Sequence, residues 1–204
     1  MTIEIREADA NHVESLKTIL ARSFFPVNDV VKKALPDNSE MRDWWGQVYS
    51  EEIDNPSCHP IIAVNTEDGT VIGVVCLRRM DGSEPMGGFW SKHPWTDSHS
   101  RALWQGPVDC MVAWEEKLMK GQPQYYLLEL LAVDHAYKGQ GVGDRLVRRA
   151  CEVADKERLS IFLQSGSAKN YYLKLGLGFR IEVEPEWDGY KACIIVRPRP
   201  GSEG

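Results

Sequence analysis

Leu131-Ala132-Val133-Asp134-His135-Ala136-Tyr137-Lys138-Gly139-Gln140-Gly141-Val142-Gly143-Asp144-Arg145-Leu146 decides how this chain folds. Upstream of it, residues 125–133 read as an apolar strand interrupted by a single charge, Glu129. Downstream, Leu146, Ala150, Val153 and Ala154 share one face of a helix over residues 143–157, with Arg145, Arg148, Arg149 and Glu152 turned to water. A strand, a glycine-rich turn and a helix in that order bring backbone N–H groups together on an anion, with the positive end of the helix dipole behind them. No Gly-Lys-Ser or Gly-Lys-Thr follows, so the lysine and hydroxyl of a nucleoside triphosphate site are missing. The spacing of Gly139, Gly141 and Gly143 is not Gly-x-Gly-x-x-Gly, and no acidic residue ends a strand about 20 positions on to hold a dinucleotide ribose. Taken alone, such a turn can equally be a tight connection with no ligand.

Working outward, Ile3 and Ile5 alternate with polar residues as a first strand. Val13, Leu16, Ile19, Leu20 and Phe24 then recur at helical spacing after Asn11, with Glu14 placed for a capping box. A second helical period runs from Met41 to Ile53, with Ser39 as its N-cap. Residues 26–38 between them read as a loop or broken helix. Residues 60–64 and 71–77 form a hairpin about the Asp68-Gly69 turn. Residues 81–107 are irregular, yet Phe89, Trp90, Trp95 and Trp104 mark them as ordered, either packing on the domain or lining a pocket. A helix follows from Met111, ending near Gly121. Residues 161–163 make a strand, 168–175 a short helix, and 179–183 with 192–196 a closing pair of strands.

With 43% hydrophobic residues, 204 positions can bury a core, and residues 1–197 read as one domain with 198–204 as a frayed tail. The 24 basic and 30 acidic residues leave a formal charge of −6, which argues against a nucleic-acid partner held through phosphates. No apolar run is long enough to span a bilayer, and Met1-Thr2-Ile3-Glu4-Ile5-Arg6 lacks the pattern of a leader, so no membrane partner is expected. The five cysteines are scattered with no Cys-x-x-Cys pair, and the five histidines show no ligand spacing. Reduced thiols, a cytoplasmic location and no metal are the expectations.

The quoted stretch resembles motif A of the GNAT acetyltransferases, in which Gln or Arg is followed after two residues by Gly and after one more by Gly or Ala. Lys138, Gly141 and Gly143 occupy those places, with Lys standing for Gln or Arg. Ala168-Lys169-Asn170-Tyr171-Tyr172-Leu173-Lys174-Leu175-Gly176-Leu177-Gly178-Phe179 is similar to the second signature, a Tyr on a short helix followed by Gly-Phe. Here Leu177-Gly178 forms an insertion, and Tyr172 rather than Tyr171 is the preferred match.

The resemblance implies an α/β (α+β) fold, with a central, mixed, mostly antiparallel sheet splayed at the acyl-CoA site and flanked by helices. It implies acetyl-CoA as cosubstrate, held by Leu131, Ala132, Val133, Lys138, Gly139, Gln140, Gly141, Val142, Gly143, Asp144 and Asn170. It implies transfer of the acetyl group to an amine. An alkylammonium is neutral in only about one part in 2,500 at pH 7, a deficit of about 4.6 kcal/mol, so a base or a proton path is useful. Tyr172 is the candidate acid for the departing thiolate. Glu129 is the candidate base, or else a carboxylate paired with an arginine or facing solvent. Gln164 could hydrogen-bond substrate but cannot act as a base, and His135 belongs on the loop surface. The acceptor, expected between residues 26–38 and the Trp-rich segment, is a small-molecule amine. Alternatives are a protein lysine or N-terminus, or a domain that binds acyl-CoA without turnover. A monomer or a homodimer fits equally well.

Overall fold

The computed structural model describes residues 2–24, 29–166, 168–187 and 190–202. Part of the loop expected over residues 26–38 lies outside them. In chain order the elements are β1 (Ile3–Glu7), α1 (Val13–Phe24), α2 (Asp29–Ala34), α3 (Ser39–Glu52), β2 (Cys58–Asn65), β3 (Val71–Met80), α4 (Phe89–Lys92), α5 (Arg101–Leu118), β4 (Tyr125–Val133), α6 (Val142–Glu157), β5 (Ile161–Ser165), α7 (Lys169–Lys174), β6 (Arg180–Val183), β7 (Glu186–Trp187), β8 (Tyr190–Lys191) and β9 (Cys193–Arg197). Seven strands form one sheet in the order β1-β2-β3-β4-β5-β9-β6, and β7 with β8 forms a separate ribbon. Every pairing in the main sheet is antiparallel except β4 with β5. A parallel neighbour needs a crossover, and α6 supplies it.

The sheet separates two apolar layers. Val142, Leu146, Val147, Ala150, Cys151 and Ala154 line the buried stripe of α6 and meet Tyr126, Leu128 and Leu163. On the opposite face, Leu16, Leu20, Trp44, Trp45, Phe89, Trp104 and Met111 cover Leu127, Leu130 and Phe162. Each of these large side chains gains roughly 1.5–3 kcal/mol on burial, so both faces of the sheet are stabilised.

One irregularity positions everything that follows. Cys76 opposes Leu130 and Leu77 opposes Leu128, so Glu129 is an extra residue on β4, a β-bulge. Leu127 and Leu130 consequently share a face although three positions apart, while Leu128 and Leu131 lie on the α6 side. The β4–β5 pairing consists of Tyr126 with Ile161 and Leu127 with Phe162, and it stops just before the bulge. Beyond it the two strands diverge.

Three local expectations differ from the structure. Asp9, not Asn11, caps the first helical turn, in a reciprocal box with His12 that precedes α1. Asn38, not Ser39, is the N-cap of α3, accepting from the Met41 N–H at 2.9 Å. The helix expected from Met111 begins ten residues earlier, at Arg101, and carries Pro107 inside it. Proline removes one helical hydrogen bond and usually ends a helix. Here Trp104, Pro107, Val108, Met111 and Glu115 form one buried stripe, whose apolar burial offsets the lost bond.

Candidate active site

A groove of about 740 Å³ runs from β4 across the glycine turn to α6. Gly139 and Gly141 have φ of 78° and 76°, the left-handed region that glycine enters without steric cost. Gly141 is the N-cap of α6, and no side chain caps that helix, so its first-turn N–H groups are available to an anionic ligand. Of the sequence candidates, Leu131, Ala132, Val133, Lys138, Gly139, Gly141, Val142, Gly143 and Asp144 line this groove. Gln140 turns its amide back to the Ala136 carbonyl at 3.1 Å. Asn170 lines a different groove, with Asp29, Lys169 and Glu184. His135 is exposed, as expected, yet stands on the groove's rim.

Besides His135, three lining residues were not among the sequence candidates for this groove: Ser23, Tyr137 and Tyr171. The Ser23 hydroxyl donates to the Val133 carbonyl at 3.3 Å, tying α1 to the strand that borders the groove. The Tyr171 hydroxyl is buried with no hydrogen-bond partner, and a Cβ at Gly143 would stand 2.8 Å from it. A side chain at position 143 would have to displace that hydroxyl, and Gly143 was the available signal. Burial, with Asp144 nearby, pushes the Tyr171 phenol up.

A second cavity, of about 230 Å³, occupies the divergence of β4 and β5 beneath α1, α4 and α5, and it shares Leu131 with the groove. Tyr172 lines it. The Tyr172 ring stands edge-on to both Tyr171 and Phe179, with centroids at 5.2 Å. Burial pushes its phenol up, so the hydroxyl keeps its proton and can donate a hydrogen bond. Gln164 also lines the cavity. Its Nε2 donates to the Pro107 carbonyl at 3.1 Å, and its Oε1 is buried without a partner. The Trp104 Nε1–H is likewise buried without a partner.

Glu129, the candidate base, is committed elsewhere. Its Oε1 accepts from Arg78 Nε at 2.6 Å and from the Phe89 N–H at 2.8 Å, and its Oε2 accepts from the Cys76 thiol at 3.3 Å. Burial holds its carboxyl above the ordinary carboxylate range against the pull of Arg78. The bulge turns this side chain into the interior, where its pairing with Arg78 fixes β3, β4 and the start of α4 together. Cys58, Cys76 and Glu129 also place three potential ligand atoms within 4.8 Å of one another. The Arg78 guanidinium already fills the role of the cation there.

Gly88 has φ 56°, and a Cβ on it would stand 2.0 Å from Glu129 Oε1. Gly88→Ala is therefore expected to displace the carboxylate and lower stability by about 2–3 kcal/mol, combining overpacking with backbone strain. Urea unfolding checks this; a loss below about 0.5 kcal/mol would mean that the bulge tolerates movement of Glu129.

The sequence profile of the acetyltransferase (GNAT) family matches residues 14–177. No curated protein sequence matches the chain. Among solved structures, arylalkylamine N-acetyltransferase 2 from Aedes aegypti superposes with a TM-score of 0.70 at 14% identity, covering 97% of this chain and 99% of that one. The Drosophila melanogaster polyamine N-acetyltransferase gives 0.66 at 16% identity, with 96% and 99% covered. A histone acetyltransferase HPA2-related acetyltransferase from Corynebacterium glutamicum gives 0.64 at 16%, with both chains fully covered. At such identities these structures speak for the fold, whereas the profile spans both glycine turn and tyrosine helix. The chain belongs to the GNAT acetyltransferase family.

Proposed function

We propose that the protein transfers the acetyl group of acetyl-CoA to the nitrogen of a small-molecule amine. The observation that carries this reading is the junction at Leu131 of an anion-ready groove with a largely apolar cavity, beside Tyr172. The groove fits a pyrophosphate at the first turn of α6 and a pantetheine arm along the β4 edge that β5 leaves unpaired. Lys138 at the rim adds positive charge toward the phosphates. Acetyl-CoA supplies an activated acyl group. In the transfer an N–C bond forms, the C–S bond breaks, and the amine loses one proton to solvent.

Tyr172 donates its hydroxyl hydrogen toward the sulfur as charge gathers there. A thiol resembling a Cys side chain titrates near 8.5, below the raised phenol, so hydrogen bonding comes before complete proton transfer. Among the described residues no free carboxylate lines the cavity, and exclusion of water does part of a base's work. Desolvation lowers an amine's pKa and raises the neutral fraction that can attack.

The cavity lies beneath helices and has a volume of only about 230 Å³, which favours a small acceptor over a polypeptide. Relatives of the fold include enzymes named for arylalkylamines, polyamines and agmatine. Calorimetric titration with acetyl-CoA tests the first half of the proposal, and thiol release with a panel of amines tests the second. Tyr172→Phe is expected to lower kcat about 100-fold while leaving acetyl-CoA affinity within about twofold. Unchanged turnover in that variant would remove Tyr172 from the chemistry.

A further inference from the structure

Resting on the acetyltransferase reading, we infer that the acceptor is a primary amine joined by a short alkyl link to an aromatic ring, and that Gln164 and Trp104 recognise its polar atoms. The cavity walls include Phe24, Trp90, Trp104, Met111 and Tyr190, so the volume available to the acceptor's body is bounded by rings and a thioether. Such walls bind a flat apolar group through offset and edge-on contacts. Their faces can attract a cation through the ring quadrupole, but they do not neutralise a second ammonium. Glu129, the one carboxylate among the cavity's described lining residues, is held by Arg78 and Phe89, so a polyamine enclosed there would have to desolvate an extra charge with no counter-ion inside the cavity. A single amine that enters neutral meets no such cost, and it is the form that attacks.

Two buried polar atoms refine the assignment. Gln164 Oε1 and Trp104 Nε1–H both lack hydrogen-bond partners, and both residues line the cavity. An orphaned buried acceptor and donor are costly unless a ligand completes them. Gln164 sits on β5, on the far side of the divergence from Leu131 and close to Tyr172, where its Oε1 can receive an N–H of the attacking amine. Trp104, on α5, can donate to an oxygen carried by the ring. The route in is the groove bearing Asp29, Lys169 and Glu184, which shares Gly166 with the cavity.

The test compares 2-phenylethylamine, tyramine and spermidine by acetyl-CoA-dependent thiol release, with calorimetric binding of acetyl-CoA measured on the same preparation. The arylalkylamines are expected to exceed spermidine at least tenfold in kcat/KM. Trp104→Phe keeps a ring but removes the N–H, and is expected to lower kcat/KM for tyramine about tenfold more than for 2-phenylethylamine. Gln164→Met is expected to raise KM for both arylalkylamines and to leave acetyl-CoA affinity unchanged. Acetyl-CoA binding accompanied by preference for spermidine, or by no turnover of either arylalkylamine, overturns this inference while leaving the cofactor assignment standing. Equal losses for both ring amines in Trp104→Phe overturn the role given to its N–H. Absence of acetyl-CoA binding would instead sink the acetyltransferase reading itself, and this inference with it.

Discussion

Arg78→Met is expected to lower the unfolding free energy by about 3–5 kcal/mol at neutral pH, the largest loss we assign to any single side chain. Arg78 is fully buried; it reaches Glu129 through Nε at 2.6 Å, Glu52 through one terminal nitrogen at 2.6 Å and Glu84 through the other at 2.8 Å. Methionine approximates the aliphatic stem but removes the cation, leaving the buried Glu129 with only the Phe89 N–H and the Cys76 thiol. Glu52 retains His93 at 2.7 Å and Lys92 at 3.2 Å, so it suffers less.

The pH dependence follows from the two carboxylates. Burial acts to raise Glu52, but His93, Arg78 and Lys92 together hold it down to about 2. A depressed carboxylate contributes stability that is present above its ordinary value and is lost as pH falls toward 2. Removing Arg78 subtracts part of that contribution and raises Glu129 further. The deficit of the variant is thus greatest at neutral pH and shrinks on acidification, as the stranded carboxylates take up protons. Urea unfolding at pH 7.5 and pH 4.5 measures it. A deficit under about 1 kcal/mol at pH 7.5, or one independent of pH, would show that Arg78 acts through packing alone. Adding Glu129→Leu to Arg78→Met is expected to recover part of the loss, because no charge is then left without a partner.

Local signals revealed much of this architecture, and non-local pairing hid the rest. The α6 stripe and the glycine turn announce themselves in one stretch, and residues 131–133 and 138–144, Gln140 aside, line one groove. Glu129 was conspicuous as the one charge in an apolar strand, but its partner is 51 positions away on β3, and no spacing along the chain reveals a bulge that depends on the neighbouring strand. The length of α5 was obscured by Pro107, whose local preference is overruled by burial of a stripe that exists only once the sheet is in place. Ser23 and Tyr171 were missed because the groove's far wall is assembled from α1 and α7, well separated in sequence from the glycine turn. Asn170 and Gln140 were included through the resemblance; Asn170 lines a neighbouring groove, and the Gln140 amide donates to the Ala136 carbonyl.

Gly141→Glu is expected to weaken acetyl-CoA binding about 1,000-fold without unfolding the protein. Two contributions are involved, and they separate cleanly. The first is conformational: φ at Gly141 is 76°, and a residue with a Cβ held in the left-handed region costs roughly 1–2 kcal/mol. No atom lies within 4 Å of a Cβ built there, so no clash adds to that strain. The second is electrostatic. The first-turn N–H groups of α6 are uncapped, and a pyrophosphate there would accept charge-assisted hydrogen bonds of about 1.5–3 kcal/mol each. A glutamate at the N-cap competes for those N–H groups and repels the phosphates. Gly141→Asn distinguishes the two, since asparagine tolerates the left-handed conformation, caps a helix and carries no charge. It is expected to lose about tenfold or less, whereas the glutamate variant loses most of the affinity and regains part of it in high salt. Circular dichroism and calorimetry on both variants decide the matter. Equal affinities for wild type and a folded Gly141→Glu would place the pyrophosphate away from α6, and the groove would then have to be reassigned.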